Sequence, residues 1–416
     1  MKSEQNLQNL KVLRAQAVKI KKNKSFFASC YRFVQNPGYH LKKLCQRLSL
    51  HRKKVVLKKQ FNEKKLELHS NDRIFACIRI TGGIGDVVCI TRWVAQLKHS
   101  FGEALVIDIF FVSPEIADFI LEAAGVRNVF SDLIFRRVSP LYDICMSVNQ
   151  FVTINWSYCK VEHICSINPG LLAFAAKVET SLMPYRKYID LHPALDGLFA
   201  DQAVKQNLNR KDFLSLMSGF DSPSPYLNIK LPDNGLLIKY GLIPKKYITI
   251  HDGWDKNFKL TDYNVRPTKS YPSKYFTTII ELIKNAYPEI KIVQLGGNVG
   301  SNIMGVDINL RGKLNLDCSA FILKSSLCHI DTESGLVHLA TSLGVKCVVI
   351  FGPTNYEFYA YERNQNIKPD ICGNCMWVTD SWMEKCPIGY FSAKCTDSTK
   401  PEKVFKVVSK VLEEMV

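Results

Sequence analysis

The chain has 416 residues and a mass of 47.3 kDa, with 47% apolar and 22% charged residues. This composition excludes a wholly disordered chain, a collagen-like chain and a multi-spanning membrane protein, and the length suits two domains. No apolar stretch approaches the roughly 18 to 20 residues that cross a bilayer, and no secretory signal is visible, so we expect a cytoplasmic protein.

The formal net charge of +17 is concentrated in residues 1–65, which hold 18 Lys and Arg against two acids. The other 351 residues carry 37 basic and 36 acidic groups, so the body is almost neutral. We therefore predict a basic N-terminal arm over residues 1–71. Residues 25–33 mix cations with aromatic side chains, and residues 41–48 have helical spacing with cations on one side.

This pattern favours attachment of residues 1–65 to an anionic membrane surface, on the inner face of the membrane. A solvated tail and a nucleic-acid-binding segment are the alternatives, and nucleic acid is the less favoured partner.

From residue 72 the chain alternates apolar strands with helices. Strands are predicted at 73–80, 104–112, 128–130 and 142–148, with helices over 87–99 and 114–124. Such alternation is typical of a parallel sheet with crossover helices. We predict an N-terminal Rossmann-like domain over residues 72–235, which ends in the proline-containing stretches 222–225 and 231–235.

A second alternating series follows. Strands are predicted at 247–251, 291–295, 327–330 and 345–351, with helices over 273–286 and after Gly335. We predict a C-terminal Rossmann-like domain over residues 236–400, followed by an amphipathic helix over residues 401–416. The fold class predicted is therefore α/β, with two Rossmann-like domains that face each other across a cleft.

Two turns at strand ends carry candidate site residues. In the first, Gly82, Gly83 and Gly85 allow a sharp turn and a close approach to a ligand, and Asp86 follows at a helix N-terminus. Because a carboxylate is stabilised as the anion there, Asp86 is a candidate general base. The alternative is an ordinary capping aspartate.

In the second turn, Asp331 ends a strand, Thr332 and Ser334 can cap the next helix, and Gly335 clears space at its first turn. His338 lies one helical turn further on. Hydroxyls, an imidazole and backbone donors at one helix N-terminus favour a diphosphate site. The alternative is a capping-box start with His338 as a surface residue.

Five segments resemble the motifs of the ADP-heptose:lipopolysaccharide heptosyltransferase family, in the same order and at similar spacings from residue 73 to residue 416. They are residues 81–87, 268–272, 309–314, 330–340 and 349–354. Two departures are visible: Tyr271 stands where the family usually has tryptophan, and one residue more separates Asp331 from Gly335 than in the simplest family form.

The resemblance implies an inverting glycosyltransferase of the GT-B fold that uses an ADP-heptose-like nucleotide-sugar donor. It implies Asp86 as the general base and Lys269 as the cation that neutralises the donor diphosphate. The other donor-site candidates are Gly83, Gly85, Gly296, Lys313, Asp331, Thr332, Gly335 and His338. The absence of any D-x-D sequence is consistent with leaving-group stabilisation by lysine and a helix dipole in place of a divalent metal.

The acceptor implied is a lipopolysaccharide-type glycolipid or a protein hydroxyl. The alternative function is a non-catalytic nucleotide-binding protein whose basic arm binds nucleic acid.

Ten of the fourteen cysteines are scattered, mostly within apolar runs, which favours a reducing compartment. The last four, Cys372, Cys375, Cys386 and Cys395, have a spacing that fits one tetrahedral structural metal site for zinc or iron. This segment also resembles the iron-binding cysteine finger of some bacterial heptosyltransferases that modify autotransporters. The alternative is a set of reduced or disulfide-prone cysteines.

Overall fold

The computed structural model describes residues 37–64, 68, 70–189, 196–232, 235–254 and 266–415. Two compact units are present, Met1–Glu67 and Leu68–Val416. In the first unit the described element is helix α1 (Pro37–Lys64), which contains the predicted helical stretch 41–48. The aromatic-rich stretch 25–33 lies outside the described residues. Within the described chain, no helix combines the length and apolar character that a membrane span requires.

The first half of the second unit is built on a five-stranded sheet. Its strands are β1 (Ile74–Ile80), β2 (Leu105–Phe111), β3 (Asn128–Ser131), β4 (Ile144–Val148) and β5 (Val152–Ile154). The order is β3-β2-β1-β4-β5, and β5 is the antiparallel strand. Strands β1 and β2 are almost continuously apolar and buried, because helices cover both faces of a largely parallel sheet.

Eight α-helices and several short 3₁₀ helices are described in this half. They are α2 (Ile84–Phe101), α3 (Pro114–Leu121), α4 (Phe135–Val138), α5 (Val161–Ile167), α6 (Pro169–Leu182), α7 (Arg186–Ile189), α8 (Asp196–Val204) and α9 (Phe213–Met217). Helix α2 begins at Ile84, three residues before its predicted start, because Gly83 serves as its N-cap.

Aromatic side chains hold the helical region after β5 together. The ring of Phe199 lies 4.7 Å from that of Phe151 and 4.8 Å from that of Phe213, centroid to centroid. Phe358, from the second half of the unit, lies 5.4 Å from Phe199. This cluster fixes the loop before α9, which carries Arg210, at the end of the first sheet.

The second half contains a six-stranded parallel sheet in the order β11-β10-β9-β6-β7-β8. Its strands are β6 (Tyr247–Ile250), β7 (Lys291–Gln294), β8 (Ile308–Asn309), β9 (Cys328–Thr332), β10 (Lys346–Ile350) and β11 (Gln365–Ile367). The described helices are α10 (Leu236–Lys239), α11 (Ser273–Ala286), α12 (Leu316–Ser325), α13 (Gly335–Ser342), α14 (Tyr356–Tyr359), α15 (Lys394–Ser398) and α16 (Pro401–Glu413).

The core of this half lies between the sheet and helices α11 and α16. Ile250 and Ile330 of the strands pack with Ile279 of α11 and with Val404 and Val408 of α16, and all five are buried. The apolar stripe predicted for the last helix therefore packs against the sheet. The helix ends at Glu413, before the predicted end at 416, and Met415 beyond it is 39% exposed.

The carboxyl ends of the strands carry the predicted turns. Thr81 and Gly82 follow β1, Gly296 lies two residues after β7, and Glu333 follows β9. Ligands of open α/β sheets bind at this edge. Strand β9 continues through Asp331 and Thr332, two residues past its predicted end, because both residues are buried in the sheet.

Candidate functional site at the two glycine turns

The two glycine turns meet directly. A Cβ atom at Gly85 would lie 2.6 Å from Cδ2 of His338, and one at Gly335 would lie 3.2 Å from the backbone nitrogen of Gly85. Both distances are too short for a side chain to fit without a shift. Glycine at 85 and 335 therefore lets the N-terminus of α2 approach the N-terminus of α13, and the two predicted signatures form one site.

Asp86 is held at both carboxylate oxygens. The backbone N–H of Gly83 donates to Oδ2 over 2.9 Å, and Nη2 of Arg210 donates to Oδ1 over 2.8 Å. A Cβ at Gly82, where φ is +114°, would overlap this carboxylate. The Asp86 side chain is 26% exposed, so it is both oriented and accessible from solvent.

Arg210 is almost fully buried beside Asp86. Burial alone lowers the pKa of an arginine, but the charges of Cys89 and Asp86 outweigh it and raise the pKa of Arg210 above its usual range. The backbone N–H of Arg210 donates to the carbonyl of Phe358 over 2.7 Å. The arginine therefore stays cationic and is anchored to the second half of the unit.

A buried series of polar side chains extends from Lys269 to helix α2. Nζ of Lys269 lies 2.8 Å from Oε2 of Glu333, and Oε1 of Glu333 lies 3.1 Å from Nε2 of His338. Nδ1 of His338 lies 2.7 Å from the hydroxyl of Tyr361, to which Arg92 donates over 3.1 Å. A continuous series of polar contacts thus connects Lys269 to the helix that carries Asp86.

The charged side chains of this series stabilise one another's charged forms. Burial alone would raise the pKa of Glu333, but the positive charges of Lys269 and His338 outweigh burial and lower the pKa to about 2. Burial lowers the pKa of His338, whereas Tyr361, Cys89 and Glu333 raise it well above its usual range. Glu333 is therefore ionised and His338 protonated at neutral pH.

Cys89 lies inside the same cluster, 3.8 Å from Nδ1 of His338. Burial raises the pKa of this thiol, but the charges of Arg210 and His338 lower it more, to about 6. The sequence marks Cys89 only as one of the cysteines in apolar runs. In the structure its sulfur lies close to the cationic groups of Arg210, His338 and Arg92.

Asp331 lies beneath the second turn and is fully buried. Its carboxylate accepts hydrogen bonds from the backbone N–H of Thr332 over 2.7 Å and from the hydroxyl of Ser334. It also lies 2.9 Å from Nδ1 of His251 and 3.3 Å from Nε2 of His329. Through these contacts the Asp331 carboxylate holds the backbone and side chains of the turn in place.

Ser334 is the N-cap of α13, since its hydroxyl accepts from the backbone N–H of Leu336 over 3.2 Å. Thr332, which we predicted as a second capping residue, lies in β9, so that prediction is wrong. Its hydroxyl is buried and has no hydrogen-bond partner among the described residues. His338, for which a surface position was the alternative, is buried.

Gly296 and Lys313 lie in neighbouring turns, because the backbone N–H of Gly312 donates to the carbonyl of Gly296 over 2.9 Å. At Gly296 φ is +131°, and a Cβ there would lie 2.8 Å from the ring of His251. Lys313 is exposed, and its ammonium donates to the carbonyl of Asn309 over 2.7 Å. Gly296 therefore lines the His251–Asp331 pair, whereas the described contact of Lys313 is with its own turn.

We expect the contribution of His251 to the free energy of unfolding to fall as the pH rises from 6.5 to about 9, so His251→Gln should lose less stability over this range than the unaltered protein. Burial lowers the pKa of His251, but Asp331 raises it from 6.5 to about 9. The folded chain therefore retains a proton that the unfolded chain releases, and this stabilisation, complete below pH 6.5, is lost through pH 9 at about 1 kcal/mol per pH unit.

Asp331 acts in the opposite direction, because its pKa falls from 3.8 to about 2, so its contribution is present above pH 3.8 and is lost towards pH 2. Urea unfolding at pH 6 and pH 9 measures the difference, with exposed His99→Gln as the matched control. Equal pH slopes for His251→Gln and the unaltered protein would contradict the expectation.

The four C-terminal cysteines are close enough for their thiols to influence one another, three of them in irregular segments and Cys395 near the start of α15. The pKa of Cys375 and that of Cys395 are each raised to about 12, by burial first and then by the charges of the neighbouring Cys372 and Cys386. Every cysteine that the structure describes is free of disulfide bonds. Across the described residues, no group of three or more His, Cys, Asp or Glu side chains has an arrangement that could hold a metal ion.

Residues 259–376 match the model of glycosyltransferase family 9, the heptosyltransferases. The matched segment includes Lys269 and the whole second turn. Lipooligosaccharide heptosyltransferase 2 of Campylobacter jejuni is 36% identical over 86 residues, which are 20% of this chain and 25% of that enzyme. The chain thus spans about a quarter of the curated relative that it matches, and the predicted resemblance to the family is confirmed.

Solved structures show the same fold at low identity. ADP-heptose lipopolysaccharide heptosyltransferase II of Escherichia coli is 12% identical, with a TM-score of 0.52 over 82% of this chain and 99% of that chain. The iron-containing dodecameric glycosyltransferase TibC of enterotoxigenic E. coli H10407 is 15% identical, with a TM-score of 0.52 over 83% of this chain and 77% of that chain. The predicted α/β GT-B fold class is confirmed.

Proposed function

We propose that this chain is an inverting glycosyltransferase that moves heptose from ADP-heptose to a hydroxyl of a lipopolysaccharide-type glycolipid or of a protein. The observation that carries the proposal is the meeting of the two turns, which puts the accessible carboxylate of Asp86 beside the N-terminus of α13. The match of residues 259–376 to the heptosyltransferase family supports the donor.

The reaction proposed is a single displacement. Asp86 accepts the proton of the acceptor hydroxyl as its oxygen forms a bond to the anomeric carbon, while the bond from that carbon to the diphosphate oxygen breaks with inversion. Each carboxylate oxygen has two acceptor positions, so the bonds from Gly83 and Arg210 leave capacity for the acceptor hydroxyl.

The departing diphosphate develops negative charge, which Lys269 and the N-terminus of α13 would stabilise. Lys269 has three N–H donors and uses one on Glu333, so the others remain for phosphate oxygens. In this proposal Asp331 and His251 shape the turn beneath the phosphates.

A thermal-shift screen of ADP-, UDP- and GDP-linked sugars tests the proposal. ADP-heptose should raise the melting temperature most, and the other nucleotide sugars should give smaller shifts, because binding to the folded state stabilises it. ADP release in the presence of an acceptor lipid extract should then exceed release with the donor alone. A flat screen, or binding without any acceptor-stimulated release, would overturn the function.

The basic arm is proposed to attach the enzyme to an anionic membrane from its cytoplasmic side. In α1, Leu48, Leu50, Val55 and Val56 are exposed among lysines and arginines. We expect deletion of residues 1–65 to release the protein from vesicles of phosphatidylglycerol, at about 1 kcal/mol for each lost cation near the surface. ADP release with a soluble acceptor should be unchanged.

Vesicle flotation measures the binding, and vesicles of neutral phosphatidylcholine are the control. Equal flotation of the full chain and the truncated chain would contradict the membrane role. Tight, salt-sensitive binding of the full chain to duplex DNA in place of vesicles would favour a nucleic-acid-binding arm.

We propose that the four C-terminal cysteines hold one structural zinc or iron ion. Their sulfurs must rearrange to bind it, because their arrangement in the described structure could not hold a metal ion. Their thiols influence one another and have raised pKa values, so a bound metal would have to displace their protons. TibC, which shares the fold, is an iron-containing protein. We expect about one metal ion per chain by elemental analysis, and little in Cys375→Ser.

Chelation should increase amide exchange in residues 369–400 before it affects the two sheets. The exposed Cys165→Ser is the control, because it leaves the loop intact. A chain that is purified without zinc or iron and melts at the same temperature after metal addition would contradict the metal proposal.

A further inference from the structure

Lys269 lies at the tip of a tight turn that begins at Pro267. The backbone N–H of Ser270 donates to the carbonyl of Pro267 over 3.0 Å, so Thr268 and Lys269 are the two central residues of the turn. A turn alone does not orient a lysine side chain, which has many rotamers. The ion pair of Lys269 with Glu333 needs the ammonium at one place, so the turn itself has to be fixed by other contacts.

Thr268 fixes the turn on one side. Its backbone N–H donates to the carbonyl of Met383 over 2.8 Å, and its hydroxyl donates to the carbonyl of Trp382 over 2.8 Å. Thr268 is 5% exposed, so loss of the hydroxyl bond would leave a buried carbonyl without a partner. The turn is thus attached to the segment between Cys375 and Cys386.

Tyr271 fixes the turn on the other side. Its hydroxyl donates to the carbonyl of Thr399 over 2.7 Å, just before α16 begins. The ring is 1% exposed and packs edge to face on that of Phe276, 5.1 Å between centroids. Burial raises the pKa of Tyr271 above its usual range, so the hydroxyl stays protonated and remains a donor at neutral pH. The tryptophan usual at this motif position has no hydroxyl, so this bond depends on the residue that departs from the motif.

The two hydroxyls cannot serve a ligand as donors while they hold the turn. Each hydroxyl has one proton, and each gives it to a backbone carbonyl. Both side chains are buried, whereas the Lys269 side chain between them is 14% exposed and has three N–H donors. Any effect of the hydroxyls on a bound donor must therefore pass through the lysine.

We propose that the hydroxyls of Thr268 and Tyr271 are positioning groups for Lys269, and that they hold its ammonium against Glu333 at the seat of the donor diphosphate. The diphosphate in this inference rests on the proposed function. The effect on the pair of Lys269 with Glu333 does not, because both partners belong to the chain. Thr268→Val and Tyr271→Phe test the inference, since each removes one hydroxyl and keeps the shape of the side chain.

The first measurement needs no nucleotide. Urea unfolding of the full chain with Lys269→Met, Glu333→Gln and both together gives the coupling between the two side chains. The coupling should fall by about half when the same cycle is measured with Thr268→Val or with Tyr271→Phe, and Thr268→Ser, which keeps a hydroxyl, should restore it. A hydroxyl that only stabilises the fold would lower all four members equally, and an unchanged coupling would overturn the inference.

The second measurement is transfer. Because a displacement of about 1 Å can cost about 10²-fold, Thr268→Val and Tyr271→Phe should each lower kcat/KM for the donor about tenfold and leave the KM for the acceptor unchanged. Neither should lower the rate further when Lys269→Met is already present. A full tenfold loss in that background would overturn the inference, because the hydroxyls would then act without the lysine.

Two variants elsewhere in the same half are matched controls. Tyr247→Phe removes a buried hydroxyl that donates to the carbonyl of Ile322 over 2.6 Å at the amino end of β6. Thr278→Val removes a hydroxyl that donates to the carbonyl of Lys274 over 3.2 Å within α11. Both controls should keep the coupling and the donor kcat/KM, with folding checked by thermal melting.

The two measurements separate this inference from the proposed function. Reduced coupling together with a flat nucleotide-sugar screen would support the positioning of Lys269 and overturn the enzyme alone. A successful screen with unchanged coupling would retain the enzyme and overturn the positioning.

Discussion

Substitution of Asp86 by alanine should lower the rate of transfer by about 10² to 10⁴-fold, the usual contribution of a positioned base. The loss should appear in kcat more than in the KM for donor, because Asp86 is proposed to touch the acceptor hydroxyl. ADP release stimulated by acceptor measures it. Exposed Asp118→Asn, on α3, is the matched control. Near-normal turnover by Asp86→Ala would contradict the assignment of the base.

Removal of Asp86 also leaves the buried cation of Arg210 without its partner. Loss of one member of a fully buried pair costs about 3–5 kcal/mol. Because the Asp86 side chain is 26% exposed, a smaller loss of stability is expected in the single variant. The double variant Asp86→Asn with Arg210→Met removes both charges and should recover much of that stability. Transfer should stay low in the double variant, which separates the catalytic effect from the structural one.

Lys269→Met should lower both activity and stability. It removes the cation proposed to stabilise the leaving diphosphate, for which a loss of about 10² to 10³-fold in kcat/KM is expected. It also leaves Glu333, ionised and buried, with His338 alone, at a cost of about 3–5 kcal/mol in the free energy of unfolding. Chemical denaturation and ADP release measure the two effects.

The double variant Lys269→Met with Glu333→Gln distinguishes them. Neutralisation of both partners should restore most of the stability, yet transfer should remain low because the cation is still missing. Lys274→Met, five residues along on the exposed face of α11, is the control. Normal transfer in Lys269→Met would contradict the role of this lysine.

The alternation of strands and helices could be predicted because most strands are buried on both faces and so are continuous apolar runs. The ends of elements are harder to predict where polar residues are buried. Strand β9 continues into Asp331 and Thr332 because two histidines and the turn satisfy the carboxylate inside the sheet. The hydrophobic periodicity of the sequence does not predict the burial of such polar residues.

The candidate site could be predicted only in part. Glycine spacing identified both turns, since a positive φ or a close backbone approach requires that residue. Arg210 could not be predicted, because it contacts Asp86 from 124 residues away and stands in a polar run typical of a surface loop. Its burial follows from aromatic packing that forms only in the folded chain.

The sequence shows an extra residue at the position of Glu333 but does not show what that residue contacts. The segment between Asp331 and Gly335 has one residue more than the simplest family form, and the structure places a carboxylate there between Lys269 and His338. The extra residue therefore forms ion pairs with Lys269 and His338. Sequence shows the extra residue, but its partners depend on the contact between the two turns.

Arg210 contacts both halves of the unit Leu68–Val416. Its guanidinium orients Asp86 at the end of the first sheet, while its backbone N–H is bonded to Phe358 in the second half. In the proposed function, a nucleotide donor that shifted the second half would also change how the carboxylate is aligned. Coupling between two binding equilibria is reciprocal, so an acceptor that contacts Asp86 would then change the affinity for the donor by the same factor.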